Sequence, residues 1–139
     1  MEKKQIQVLI ETALAQLPFA YTPYSGFKVG AALLTKDGSI YTGCNIENAA
    51  YTPTNCAERT AFFKAVSEGI REFQAICIVG GTDGVPAEYT APCGVCRQVM
   101  MEFCDSDTFQ IILAIDPDRY KIYTLKELLP MGFGPLNLS

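Results

Sequence analysis

Two short runs, 75–79 and 109–115, which are apolar except for Gln110, constrain the fold of this chain more than any other feature. A strand with one face in solvent alternates apolar and polar side chains, whereas a strand covered on both faces is apolar throughout. Neither run alternates. The sequence therefore predicts central strands in a sheet whose two faces are both covered by other elements.

The rest of the chain supplies further strands and the helices that would cover the sheet. In order, the pattern predicts helix 3–17, strands 27–34 and 40–44, helix 56–68, strand 73–80, helix 93–103, strands 109–115 and 120–123, and helix 125–129. Thr54 or Asn55 is the predicted N-cap of the second helix. We therefore expect a single domain over residues 1–139, a three-layer α/β/α sandwich with a mixed five-stranded sheet.

Charge and hydropathy narrow the class of function. The net charge is −4 and the pI about 4.8, with no stripe of Lys and Arg of the kind that contacts nucleic-acid phosphates. No apolar run approaches the roughly 20 residues of a membrane helix, and the N-terminal residues do not resemble a signal peptide. We expect a cytoplasmic protein that binds neither nucleic acid nor membranes and acts on a small neutral substrate.

Three of the six cysteines have a spacing typical of a catalytic zinc site. Cys56 lies two residues before Glu58, and Pro92 leads into Cys93 and Cys96. Both groups fall at predicted helix starts, where the helix dipole favours the thiolate that binds zinc. Three protein ligands leave the fourth tetrahedral position of the ion to water, as in catalytic zinc sites.

The chain has no histidine, so acid-base chemistry near neutral pH falls to a carboxylate, a thiol or a metal-bound water. Glu58 is close enough to Cys56 to face the open metal position and move protons there. Arg59, one helical turn beyond Cys56, can donate hydrogen bonds to the thiolates. Taken singly, each has a plainer explanation: a first-turn carboxylate that complements the helix dipole, and a solvated helix arginine.

Two other interpretations of the cysteines stay open. A redox pair would use only the C-x-x-C cysteines and would leave Cys56 without a role. A closed structural zinc site would need a fourth thiolate from Cys44, Cys77 or Cys104, although burial in the core explains Cys77 and Cys104 better. Either interpretation makes the chain a binding or redox module instead of a hydrolase.

Beyond these residues, five sequence blocks closely resemble the small free-nucleoside cytidine deaminases. They are YSGFKVGAA (24–32), NIENAAY (45–51), CAER (56–59), PCGVCRQ (92–98) and LLPMGF (128–133). The resemblance implies a cytidine deaminase-like fold. It also implies zinc-dependent hydrolytic deamination of cytidine and deoxycytidine to uridine and deoxyuridine, with release of ammonia, in pyrimidine salvage.

The resemblance also implies residue roles, in three groups. One Zn²⁺ per chain would be bound by Cys56, Cys93 and Cys96, beside the proton shuttle Glu58 and the thiolate-neutralising Arg59. The nucleoside would be contacted by Phe27 at the pyrimidine, Asn45 and Glu47 at the ribose, and the backbone of Ala57 at the base amide. A neighbouring subunit's site, in a homotetramer, would be reached by Ala49, Tyr51 and Phe133.

One segment departs from the family pattern. Residues 52–55 (TPTN) replace the Gly-Leu-Thr type of run that usually precedes the first zinc-ligand cysteine, so the fine substrate preference stays open. A related alternative is deamination of a cytosine-containing antibiotic nucleoside, as in blasticidin-type relatives. The ribose pair Asn45 and Glu47 favours an ordinary nucleoside.

Overall fold

The computed structural model describes residues 1–139 and places five strands in one sheet. The helices and strands in chain order are α1 (Lys3–Leu14), β1 (Phe27–Thr35), β2 (Ile40–Cys44), α2 (Ala57–Ser67), β3 (Phe73–Thr82), α3 (Gly94–Phe103), β4 (Gln110–Asp116), β5 (Arg119–Thr124) and α4 (Leu125–Leu128). Two short 3₁₀ helices cover Leu17–Phe19 and Pro135–Leu138.

The sheet is mixed, in the order β2-β1-β3-β4-β5. Its one parallel pair is β3 with β4, which α3 connects, while the other neighbouring strands pair antiparallel. A parallel return needs a crossover connection, and α3 supplies it. The predicted mixed five-stranded sheet is confirmed.

Both faces of the sheet are covered, as the apolar runs predicted. In β3, Ala75, Cys77 and Val79 belong to the core beneath α1, whereas Ile76 and Ile78 belong to the core beneath α2 and α3. All five side chains are fully buried. This alternation between two cores confirms the three-layer α/β/α sandwich.

α2 lies unusually close to β2 because of Gly43. A Cβ atom at this position would stand 2.2 Å from the carbonyl oxygen of Ala57 and 2.7 Å from the backbone nitrogen of Ala61. These contacts are with backbone, which cannot rotate away as a side chain does. Gly43 therefore lets the first turn of α2 rest directly on the sheet, and this turn carries the candidate site.

Two predicted boundaries were wrong. α1 ends at Leu14 instead of continuing to Leu17, and Pro18 lies inside the 3₁₀ helix that follows. The N-cap of α2 is Cys56, not Thr54 or Asn55. Asn55 is held in an extended bridge, since its N–H and carbonyl each bond to the backbone of Ile46 at 2.9 Å, so the helix begins after it. None of the helices has the length and apolar character needed to cross a bilayer.

Candidate active site

Two helix N-termini bring the predicted metal ligands together. Cys56 is the N-cap of α2 and Cys93 is the N-cap of α3, and neither side chain caps its own helix. Both sulfurs are thus left free for another partner. Cys96 lies in the first turn of α3 and is buried, whereas Cys93 is exposed.

The three sulfurs form one cluster in which all lie within 4.8 Å of one another. The Sγ atom of Cys93 is 3.8 Å from that of Cys56 and 3.6 Å from that of Cys96. Three converging thiols are a donor set that suits zinc. The cluster therefore fits a zinc ion with one coordination position left to a non-protein ligand.

The other three cysteines do not belong to this cluster. Cys77 is fully buried in the core beneath α1, on the opposite face of the sheet. Cys104 packs at the edge of the core beneath α2 and α3, and burial raises its pKa above the usual thiol range. The fourth thiolate that a closed structural zinc site requires is absent, which argues against that interpretation.

Arg59 stabilises negative charge on the cluster. One of its terminal nitrogens donates a hydrogen bond to Cys56 Sγ at 3.1 Å. The pKa of Cys56 lies well below the usual thiol range. The main cause is a hydrogen bond from the Cys96 thiol. Arg59 lowers the pKa further, whereas burial opposes the decrease. The predicted contact between Arg59 and a thiolate is present, and the site favours the form of cysteine that binds a metal.

Glu58 is buried beside the sulfurs, with only 4% of its surface exposed. Burial is the main cause that raises the pKa of its carboxyl from 4.5 to about 7, and the charge on Cys56 adds to the effect. A carboxyl group with a pKa near 7 can both accept and release a proton at neutral pH. Its position and acidity match those of a proton shuttle.

A small cavity of about 160 Å³ opens beside Glu58 and the cysteines. Besides Glu58, its wall is made of uncharged side chains and the candidate ligands: Val29, Asn45, Thr54, Asn55, Cys56, Ala57, Thr90, Ala91 and Cys93. Glu58 is the one carboxylate in this wall. Thr54, Asn55 and Thr90 were not predicted as site residues, and only the departure of residues 52–55 from the family pattern drew attention to that loop.

Asn45 lines the cavity, as expected for a substrate contact. Its side chain also connects the loop after β2 to β1 through two hydrogen bonds. Its Oδ1 accepts the N–H of Val29 at 2.9 Å, and its Nδ2 donates to the carbonyl of Phe27 at 2.8 Å. Each of these amide atoms can make one further hydrogen bond. The side chain is therefore held rigidly and still has hydrogen-bonding capacity toward the cavity.

Glu47 and Phe27 lie outside the cavity wall, in depressions that adjoin it. Glu47 shares its depression with Thr54, which also lines the cavity, and the depression around Phe27 likewise shares Thr90. The Glu47 carboxylate accepts bonds from the Ser25 hydroxyl and from the N–H groups of Tyr24 and Ser25, and these hydrogen bonds lower its pKa. The predicted contacts of Phe27 with the pyrimidine and of Glu47 with the ribose remain predictions.

The residues predicted to reach a neighbouring subunit are all exposed. Ala49 and Tyr51 lie in the loop before α2, where the Tyr51 ring meets that of Tyr24 edge-on at 6.2 Å. The backbone carbonyl of Phe133 accepts a hydrogen bond from Gln98 at 2.8 Å, while its ring is 57% exposed. None of the three predicted intersubunit residues lines the cavity of its own chain.

Comparison with known proteins identifies the family. Residues 3–112 match the model of the cytidine and deoxycytidylate deaminase zinc-binding region. The chain is 52% identical over 120 residues to a cytidine deaminase of Sporosarcina psychrophila, covering 86% of this chain and 85% of that one. A cytidine deaminase of Halalkalibacterium halodurans is 53% identical over 128 residues, covering 91% and 92% of the two chains.

Solved structures agree with these sequence relatives. A cytidine deaminase from Burkholderia pseudomallei superposes with a TM-score of 0.82 at 48% identity, covering 91% of this chain and 97% of that one. One from Mycobacterium tuberculosis gives a TM-score of 0.74 at 38% identity, covering 91% and 95%. The resemblance seen in the five sequence blocks is confirmed, and the chain belongs to the cytidine and deoxycytidylate deaminase family.

Proposed function

We propose that the chain is a hydrolytic cytidine deaminase that converts cytidine and deoxycytidine to uridine and deoxyuridine with release of ammonia. The observation that carries the proposal is the meeting of three cysteine sulfurs with one buried carboxyl group in a small cavity. The sequence relatives and solved structures that resemble the chain are named cytidine deaminases. A role in cytoplasmic pyrimidine salvage follows from this reaction.

Each residue of the site would have a separate role in the proposed reaction. Cys56, Cys93 and Cys96 would hold one zinc ion per chain, which when bound would lower the pKa of a water molecule for attack on C4 of the cytosine ring. Glu58 would take a proton from that water and deliver it to N3, and would then take a second proton from the hydroxyl group added at C4 and deliver it to the departing amine. Arg59 would offset the excess negative charge of the thiolates through its bond to Cys56.

The cavity wall favours a nucleoside over a nucleotide. Its only charged side chain besides the cysteines is that of Glu58, and it contains no Lys or Arg that could pair with a phosphate. The adjoining Glu47 carboxylate is also ionised at neutral pH, and the hydrogen bond from the Ser25 hydroxyl holds its pKa below the usual range. We therefore expect cytidine to be a much better substrate than its 5′-monophosphate.

Glu47 supports the inclusion of deoxycytidine. A carboxylate can accept about four hydrogen bonds. Bonds from Tyr24 and Ser25 use three of these positions and leave about one for a sugar hydroxyl. Because ribose and deoxyribose both carry a 3′-hydroxyl, a single remaining acceptor position suits both nucleosides.

A homotetramer is part of the proposal. Tyr51 and Phe133 are 73% and 57% exposed, and Leu136 in the tail is 89% exposed. Contact with another chain in a homotetramer would cover these apolar side chains. Light scattering coupled to gel filtration should give about four times the 15.2 kDa mass of the chain, and a monomer with full activity would refute this part.

A spectrophotometric assay tests the activity directly. The purified protein should lower the ultraviolet absorbance of cytidine and deoxycytidine, and it should do so far more slowly with deoxycytidine 5′-monophosphate and blasticidin S. Removal of zinc with a chelator should abolish turnover, and added zinc should restore it. Zinc-loaded protein that turns over neither nucleoside would overturn the proposed function and would favour a binding or redox module.

A further inference from the structure

Arg97 lies directly after the last predicted zinc ligand, and its hydrogen bonds lead back to the first ligand on the same helix. Its backbone N–H donates to the carbonyl of Cys93 at 3.0 Å. Its side-chain Nε donates to the carbonyl of Pro92 at 2.8 Å. The residue thus contacts both peptide carbonyls that flank Cys93, the one after it through its backbone, as in any α-helix, and the one before it through its side chain.

The same guanidinium also reaches α4. Its Nη1 atom donates to the carbonyl of Leu128 at 2.5 Å, at the end of that helix, where carbonyls have no intrahelical donor. The planar guanidinium presents donors in several fixed directions, so it can span two carbonyls that a lysine ammonium cannot hold in the same way. Arg97 therefore connects the segment before Cys93 to the C-terminal part of the chain.

This connection matters because the segment before Cys93 makes few other hydrogen bonds, although Pro92 itself is buried. Residues 86–92 lie outside every helix and strand and make no backbone–backbone hydrogen bond. Besides Arg97, the tethers of this segment are the Thr90 hydroxyl, which donates to the carbonyl of Gly80 at 3.3 Å, and the Lys121 ammonium, 5.0 Å from the centre of the Tyr89 ring. Neither acts on a residue adjacent to Cys93.

Cys93 is also the most weakly held of the three cysteines. It is exposed, whereas Cys96 is buried and Cys56 is partly buried and bonded by Arg59. As the N-cap of α3 it has no side-chain capping bond. The direction of its sulfur therefore depends on the peptide group before it, whose carbonyl the Arg97 side chain holds.

We propose that Arg97 is a positioning residue for the metal centre, whose guanidinium fixes Cys93 Sγ by holding the carbonyl of Pro92, directly before Cys93, and anchoring it to the carbonyl of Leu128. The role differs from that of Arg59, because Arg97 donates to carbonyls and Arg59 donates to sulfur. The inference rests on the proposed zinc site. Partners that orient metal ligands typically contribute about 10- to 100-fold to metal affinity.

The test compares zinc release from the wild-type protein, R97A, R97K and R71A, measured with a colour-forming chelator. Arg71 is the matched control, since its Nη1 also donates to a helix-end carbonyl, that of Val66 at 2.8 Å, away from the cluster. We expect zinc release to be about 10- to 100-fold faster in R97A and clearly faster in R97K, but unchanged in R71A. In Co²⁺-loaded R97A and R97K the visible bands of tetrahedral thiolate coordination should shift.

Zinc release from R97A at the wild-type rate, or equal acceleration in R97A and R71A, would overturn the proposal. If R97A does not fold, R97K provides the test, because it retains a long cationic side chain. Zinc release from R97K at the wild-type rate would also overturn the proposal. A merely structural arginine would lower the unfolding temperature and leave the cobalt spectrum unchanged. Wild-type protein that binds no zinc would instead contradict the proposed function.

Discussion

The substitution E58Q gives the sharpest test of the proposed proton shuttle. Glutamine has nearly the same shape as glutamate but cannot carry a proton between a water molecule and a base. Glu58 is buried and is the one carboxylate in the cavity wall. A neutral amide costs less to bury than a carboxylate, so we expect E58Q to fold normally and to retain zinc.

The burial of Glu58 determines the size of the expected effect. A positioned acid-base group typically contributes about 10²- to 10⁴-fold to a rate. Glu58 would serve two transfers, to N3 and to the leaving amine, and its 4% exposure leaves bulk water little access to replace it. We therefore expect kcat/KM for cytidine to fall by about 10⁴-fold or more, a loss of about 5 kcal/mol or more in transition-state stabilisation.

The assay combines cytidine turnover with zinc content per chain by elemental analysis. E68Q at the opposite end of the same helix is the control, because Glu68 is exposed and its side chain accepts a bond only from the Tyr41 hydroxyl, at 3.1 Å. E68Q should keep wild-type activity. A fully zinc-loaded E58Q with activity within tenfold of wild type would refute the assignment, and loss of zinc from E58Q would show that the carboxylate supports the metal instead.

Three further substitutions probe the ligands, the helix placement and the cavity wall. C56S should lose most of its zinc while C104S keeps it, because only Cys56 belongs to the sulfur cluster, and elemental analysis distinguishes the two. G43A should lower the free energy of unfolding by about 1–3 kcal/mol in urea titrations, since the added methyl group would collide with backbone atoms of α2. N45A should raise KM for cytidine and cost about 1–3 kcal/mol of stability, because it leaves the Val29 N–H and the Phe27 carbonyl without their partner; an unchanged KM would remove Asn45 from the substrate site.

The sequence predicted the sheet and the sulfur cluster well because both depend on strong local signals. An apolar run without alternation indicates a strand covered on both faces, and β3 and β4 occupy the predicted places. The C-x-x-C spacing puts Cys93 and Cys96 on one turn, whatever else the helix contacts. Only the meeting of Cys56 with them needed the tertiary fold, and there the family resemblance supplied what spacing alone could not.

The cap of α2 shows where local reasoning fails. Asparagine and threonine are good N-caps, so Thr54 and Asn55 were reasonable candidates. In the structure Asn55 pairs its backbone with Ile46, and its side chain donates to the Thr60 hydroxyl at 3.2 Å. This long-range pairing extends the chain up to Cys56, and no local preference could have indicated it. The cavity-lining role of Thr90 depends in the same way on a loop whose path is set by contacts distant in sequence.

The N-cap positions of Cys56 and Cys93 also help to explain how a zinc site without histidine ligands can remain reactive. Zinc with three thiolates would carry a net negative charge, which weakens the metal as a Lewis acid. Each helix N-terminus contributes roughly half a positive charge, so the starts of α2 and α3 together offset about one unit of negative charge near the sulfurs of their N-cap residues, Cys56 and Cys93. Arg59 adds a full positive charge through its bond to Cys56. The extended pairing of Asn55 with Ile46 sets Cys56 as the N-cap of α2, and so it contributes to the chemistry as well as to the fold.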